Sequence, residues 1–86
     1  MLYREEMSME KSQILDEVQA IFCEVLDNEE IVLSNETNAD DIEEWDSLTH
    51  IQLIVAIEKH FKIKFTSKEI LSWQNVGQLV DCIAIK

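Results

Sequence analysis

Asp46, Ser47 and His50 bring a carboxylate, a hydroxyl and an imidazole together within five residues. On a helix, residues three and four apart share a face, so His50 would stand beside both Ser47 and Asp46. Such a trio suggests a nucleophile with its base, and a serine hydrolase is the first reading to test. The surroundings argue against it. Gly77 is the only glycine, so no Gly-x-Ser-x-Gly elbow exists, and 86 residues enclose too small a core for a water-excluding pocket with an oxyanion hole. No catalytic residue and no enzyme activity are therefore expected. On the residues alone, Asp46 and Ser47 read as the cap of a helix.

The other reactive side chains point to packing. Cys23 and Cys82 lie far apart, each within an apolar helical pattern, and read as reduced, buried small hydrophobes. Together with His50 and His60 they form no zinc spacing. The acidic run from Asn38 to Glu44 lacks the alternation and central glycine of a calcium loop, so no metal site is expected. His50 reads as a polar or half-buried helix residue, and His60 as a residue near the negative end of a helix dipole.

The elements that carry these groups follow from hydrophobic spacing. Ile14, Val18, Ile21, Phe22 and Val25 predict a helix from about Met9 or Ser12 to Leu26. Asp27 to Asp46 has no sustained period and reads as a long connection with a short helical turn near Asp40 to Glu43. A second helix, capped by Asp46 or Ser47, runs to His60 or Phe61. It has two apolar stripes. Leu53, Ile54, Ile57 and Phe61 are assigned to the core, while Leu48, Ile51 and Val55 fall on the roughly opposite side. Lys62 to Phe65 alternates as a short extended linker. Thr66 or Ser67 caps a brief helix through Ser72, and Asn75 caps a last helix bearing Val76, Leu79, Val80 and Ile83. The fold class is all-α, with three main helices, one short helix and a long loop between the first two. A single domain spans 1–86, its core about 12–85, with residues 1–10 expected to fray.

The formal charge of −11 is unevenly placed. Fifteen acidic residues face only Arg4 and Lys11 up to Asp46, a balance of −13, whereas the remainder carries +2. Nine carboxylates and no basic residue lie between Asp27 and Asp46. Such a field repels phosphate backbones and anionic headgroups, so neither nucleic acid nor a membrane surface is an expected partner, and basic protein surfaces are favoured. The longest apolar run, Leu53 to Ile57, is far shorter than a membrane span, and the first residues form no apolar signal core. A cytoplasmic monomer is expected.

Around Ser47 the sequence resembles the acyl carrier proteins. Asp46-Ser47-Leu48 matches their attachment motif. The likeness continues through Glu44-Trp45-Asp46-Ser47-Leu48-Thr49-His50-Ile51-Gln52-Leu53 to Ile57-Glu58 and Phe61-Lys62-Ile63, and covers roughly residues 12–85. The resemblance implies a small four-helix bundle whose serine, Ser47, receives a covalent 4′-phosphopantetheine arm from coenzyme A. A phosphopantetheinyl transferase would attach it, with Asp46 helping to position that enzyme's metal and the serine. The arm would carry acyl or aminoacyl groups as thioesters to separate activating and acyl-transferring enzymes. A phosphodiester on Ser47 would sit at a helix N-terminus, near amide N–H groups lacking intrahelical partners.

The partner surface is expected to combine the apolar stripe Leu48, Ile51 and Val55 with an acidic rim of Glu43, Glu44, Asp46 and Glu58. Trp45 either packs over the helix start or meets the transferase. Carriers of fatty-acid synthesis have a strongly acidic second helix and commonly a glycine two residues before the aspartate. Here Thr49, His50, Gln52 and Lys59 leave that helix nearly neutral and Glu44 takes the glycine position, which favours a specialised pathway. The alternative from another class is an unmodified acidic helical adaptor that binds a basic partner through the same stripe.

Overall fold

A computed structural model describes residues 10–86. Four α-helices, α1 (Lys11–Val25), α2 (Ser47–Phe61), α3 (Ser67–Ser72) and α4 (Val76–Ala84), are joined by loops that include a 3-10 turn at Ala39–Asp41. No strand occurs among the described residues. The expected fraying of residues 1–10 lies, apart from Glu10, outside the described residues. The all-α reading and the helix layout both hold.

Three of the four helices start where a side chain takes up amides that have no carbonyl a turn earlier. Asp46 caps α2, Thr66 caps α3 with Glu69 returning the bond, and Asn75 accepts from the Gln78 N–H at 2.9 Å to cap α4. Glu10 precedes α1 without a side-chain capping bond. At the other end of α2, Lys62 is left-handed, with φ 58° and ψ 49°, and the Ile63 N–H reaches back to the Glu58 carbonyl at 3.1 Å. The expectation of an extended linker over Lys62 to Phe65 therefore fails at its first residue. A helix that must turn back at once needs one left-handed residue, and the alternation of Lys62-Ile63-Lys64-Phe65 carries no sign of it.

α1 packs against both α2 and α4. Its stripe of Ile14, Val18, Ile21 and Phe22 meets Leu53 and Ile57 of α2 and Val76, Leu79, Val80 and Ile83 of α4 in one core. Phe61, assigned to that core, is half-buried at its edge. His60 Nε2 meets Glu17 at 2.6 Å across α1 and α2, and Lys11 meets Asp81 at 2.8 Å across α1 and α4. These are surface pairs of small energetic weight.

The long connection is more ordered than its polar composition suggests. Ile31, Leu33 and Ile42 are buried in the core, with Val32 turned outward. The first amides of α4 fasten the loop: Val76 N–H donates to the Thr37 carbonyl at 2.8 Å and Gly77 N–H to that of Asn35 at 2.9 Å. That contact explains the single glycine. A Cβ at position 77 would lie 2.8 Å from the Asn35 carbonyl oxygen.

Candidate functional site

Ser47 is the first residue of α2, and the chain around it is held from several sides. Asp46 Oδ1 accepts from the N–H groups of Leu48 at 3.0 Å and Thr49 at 2.9 Å. The Thr49 hydroxyl accepts the Asp46 N–H at 2.8 Å and donates to the Glu44 carbonyl at 2.8 Å. The Thr49 amide outweighs the opposing effect of desolvation and, with lesser help from the Thr49 hydroxyl and the Leu48 amide, holds the Asp46 carboxyl below its ordinary value. Within this frame Ser47 is exposed, and its hydroxyl makes no hydrogen bond to any described residue. Capping falls to Asp46, which leaves Ser47 free.

The same geometry corrects one expectation. A phosphodiester on Ser47 was expected to sit near helix-start amides that lack intrahelical partners, yet those of Leu48 and Thr49 already donate to Asp46. A short acidic residue at the N-cap satisfies those donors internally and places a carboxylate where the anion would otherwise settle.

Trp45 is half-buried. Its ring meets Phe22 edge to face at a centroid distance of 4.9 Å, and its indole N–H donates to His50 Nδ1 at 3.0 Å. His50 is half-buried as expected, and desolvation holds its pKa below the ordinary value. Because Nδ1 accepts, the neutral ring must carry its proton on Nε2. The interaction joins two residues that the sequence shows only as neighbours of the motif.

Beside Ser47 opens a cavity of about 540 Å³ between α2, α3 and the start of α4. Ser47 and His50 stand on its rim with Ile54, Ile57, Trp73 and Leu79 among its walls, and the lining is predominantly apolar. The sequence signals no such space, because α3 and α4 must first be docked to enclose it.

The apolar stripe is exposed: Leu48 at 68%, Ile51 at 62% and Val55 at 44%. Leu71 on α3 joins Ile51 at the cavity with 85% exposure, a residue that sequence reasoning passed over. Its signal was the pair Ile70-Leu71, two adjacent apolar residues that one short helix cannot both turn inward. Glu43 is exposed, and so is Glu44, which accepts from Asn28 Nδ2 at 3.1 Å. Glu58 differs from the other acids of the expected rim. It is half-buried, and its Oε2 accepts the Phe65 N–H at 2.9 Å, so it fastens the chain after α2. Cys82 is buried and Cys23 half-buried, and both thiols are free. Among the described residues no group of acids, histidines or cysteines could hold a metal ion, and no helix is long and apolar enough to cross a membrane.

Residues 16–83 match the family model described as the phosphopantetheine attachment site. Among solved structures, the chain is similar to the holo acyl carrier protein of Geobacter metallireducens, determined by solution NMR. The two are 48% identical over 85% of this chain and 84% of that one, with a TM-score of 0.81.

Proposed function

This chain belongs to the acyl carrier proteins that bear phosphopantetheine, and we propose that Ser47 is the residue that carries the arm. The observation behind this reading is the exposed, unbonded Ser47 hydroxyl on the first turn of α2, held by a capped helix start and bordering an apolar cavity. An arm joined through a phosphodiester needs an accessible hydroxyl on a rigid element, and Ser47 supplies one. When attached, the group contributes a terminal thiol that holds acyl cargo as a thioester. The chain itself contributes tethering and presentation, raising the effective concentration of that cargo for the enzymes of acyl metabolism with which such carriers interact.

Asp46 is suited to the attachment step. Its Oδ1 caps the helix, while Oδ2 makes no hydrogen bond to any described residue and can meet the metal in a transferase active site. Leu48, Ile51 and Val55, with Glu43 and Glu44 at one end, are the surface offered to partner enzymes. Lys59 and Gln52 share that exposed face of α2, so the face is less acidic than that of fatty-acid carriers. This favours a specialised pathway. The apolar cavity favours acyl over aminoacyl cargo, since Asp46, already committed to capping α2, is the one charged residue in its lining and Ile54, Ile57 and Leu79 offer an ammonium no counter-ion. An unmodified adaptor would leave both the free hydroxyl and the cavity without a use.

The test is to load the holo protein with a medium-length acyl chain or with an aminoacyl group and compare amide NMR spectra. Shifts at Ile54, Ile57 and Leu79 are expected with the acyl chain only. Identical spectra for the two cargoes would contradict the choice of acyl cargo.

A further inference from the structure

The phosphodiester that joins the arm to Ser47 is an anion that donors would hold, and the helix end leaves it only the Ser47 amide, which bonds to no described residue. The Leu48 and Thr49 amides are occupied by Asp46, and the His50 amide donates to the Asp46 carbonyl at 2.8 Å. The Asp46 carboxylate itself repels a second negative charge placed over those amides. Beyond the Ser47 amide and water, a fixed donor has to come from a side chain.

One is ready. His50 lies three residues after Ser47, so the two side chains are neighbours on α2, about 5–6 Å apart at Cβ, and both border the same cavity. The indole N–H of Trp45 fixes the ring by donating to Nδ1 at 3.0 Å, and the Trp45 ring is itself seated on Phe22. Nε2 therefore carries the proton of the neutral ring. It makes no hydrogen bond to any described residue and is not a buried unpartnered atom, so this N–H is accessible, on a residue that lines the same cavity as Ser47. Asn75, also in the cavity lining, accepts the Gln78 N–H with its carbonyl and keeps its amide NH2 uncommitted, but it begins another helix. His50 alone sits on the helix of Ser47 with one end of its side chain locked.

We propose that His50 is a positioning residue for the phosphopantetheine arm: its Nε2–H, oriented by Trp45, donates to the phosphodiester on Ser47 and draws the arm toward the cavity side of α2. The phosphate then leans away from the exposed row of Leu48 and Val55. The arm starts beside the cavity that would receive its cargo, and the apolar row stays clear for a partner enzyme. Residue types explain why the device needs both members. A histidine without Trp45 would exchange tautomers and rotate, and a tryptophan without His50 would offer its single donor to the core side only.

The inference rests on arm attachment at Ser47, and the experiment reads the two separately. Histidine ¹⁵N–¹H NMR is recorded on the full chain before and after incubation with coenzyme A and a phosphopantetheinyl transferase, with intact mass measured on each sample. The apo protein is expected to show the Nε2–H tautomer at neutral pH. Attachment is expected to move that proton and nitrogen downfield, as donation to an anion requires. In the holo protein the ³¹P resonance should shift in His50→Phe, which has no donor, and stay near the wild-type value in His50→Gln, whose amide retains one. An Nε2 signal unmoved in a sample whose mass shows the arm in place would overturn the positioning role while leaving attachment intact. Failure to gain the arm would overturn both. The comparison of apo with holo wild type needs no variant, so a poorly folded substitution does not remove the test.

Discussion

Asp46 and His50 flank Ser47 with opposite kinds of pKa control. Hydrogen bonds from the Thr49 and Leu48 amides favour the charged form of Asp46 and lower its pKa from 3.8. By linkage, the capping contribution is complete above the unfolded pKa and is lost as the pH falls through the lower folded value. Wild type should therefore melt higher than Asp46→Asn at neutral pH, and the difference should close in strong acid. Thermal melts followed by circular dichroism across that range check this, and a gap independent of pH would contradict it. For His50, burial disfavours the imidazolium, and the Trp45 donor pointing at Nδ1 opposes the added proton as well. Trp45→Phe should raise the His50 pKa toward its ordinary value of 6.5, which a histidine NMR titration reads directly. The thiols give a third expectation. Burial pushes the Cys82 thiol up, with Glu69 adding to the effect, and Cys23 is half-buried with Sγ 3.6 Å from the Ile31 carbonyl. Apo protein should react slowly with a thiol reagent at neutral pH, and holo protein should gain one fast-reacting thiol.

The helices differ in how plainly their ends are written. Asp46, Thr66 and Asn75 have the side chains that hold orphan amides, so the starts of α2, α3 and α4 were legible in the sequence. The turn after α2 was not, because Lys62 is a non-glycine residue held in the left-handed region by the reversal of the chain toward α3. Lys62→Gly should raise stability by up to about 1 kcal/mol, as glycine bears no Cβ penalty there; chemical denaturation measures it. The connection between α1 and α2 was legible in its length but not in its order. Ile31 and Leu33 alternate with Val32, a two-residue hint overwhelmed by nine surrounding carboxylates. Gly77→Ala probes how that loop is fastened. Alanine favours a helix by up to about 1 kcal/mol over glycine, but its Cβ would meet the Asn35 carbonyl oxygen at 2.8 Å. Overpacking against backbone costs about 1–3 kcal/mol, so a net loss of stability is expected in denaturant melts.

Considered as one body, the molecule assigns its two apolar faces of α2 to different tasks. Ile57 is fully buried between helices and Leu48 is 68% exposed, as the two-stripe pattern suggested. That division was legible because helical periodicity is local. The cavity beside Ser47 was not, since it exists only once Trp73 and Leu79 stand opposite Ile54 and Ile57. Nor was the Trp45–His50 bond, whose geometry depends on Phe22 from a distant helix. Ile57→Ala should cost about 2–5 kcal/mol in urea unfolding, a large share of what holds a domain of this size together.

The most direct test of Ser47 as the attachment point is mass spectrometry after incubation with coenzyme A and a promiscuous phosphopantetheinyl transferase. Tryptic cleavage after Lys11 and Lys59 yields one fragment holding Ser12, Ser34 and Ser47, so fragmentation must place the group within it. Wild type is expected to gain the mass of one phosphopantetheine, located at Ser47, and Ser47→Ala to gain none while retaining its helical spectrum. An arm found on Ser34 or Ser12, or a gain that persists in Ser47→Ala, would contradict the assignment.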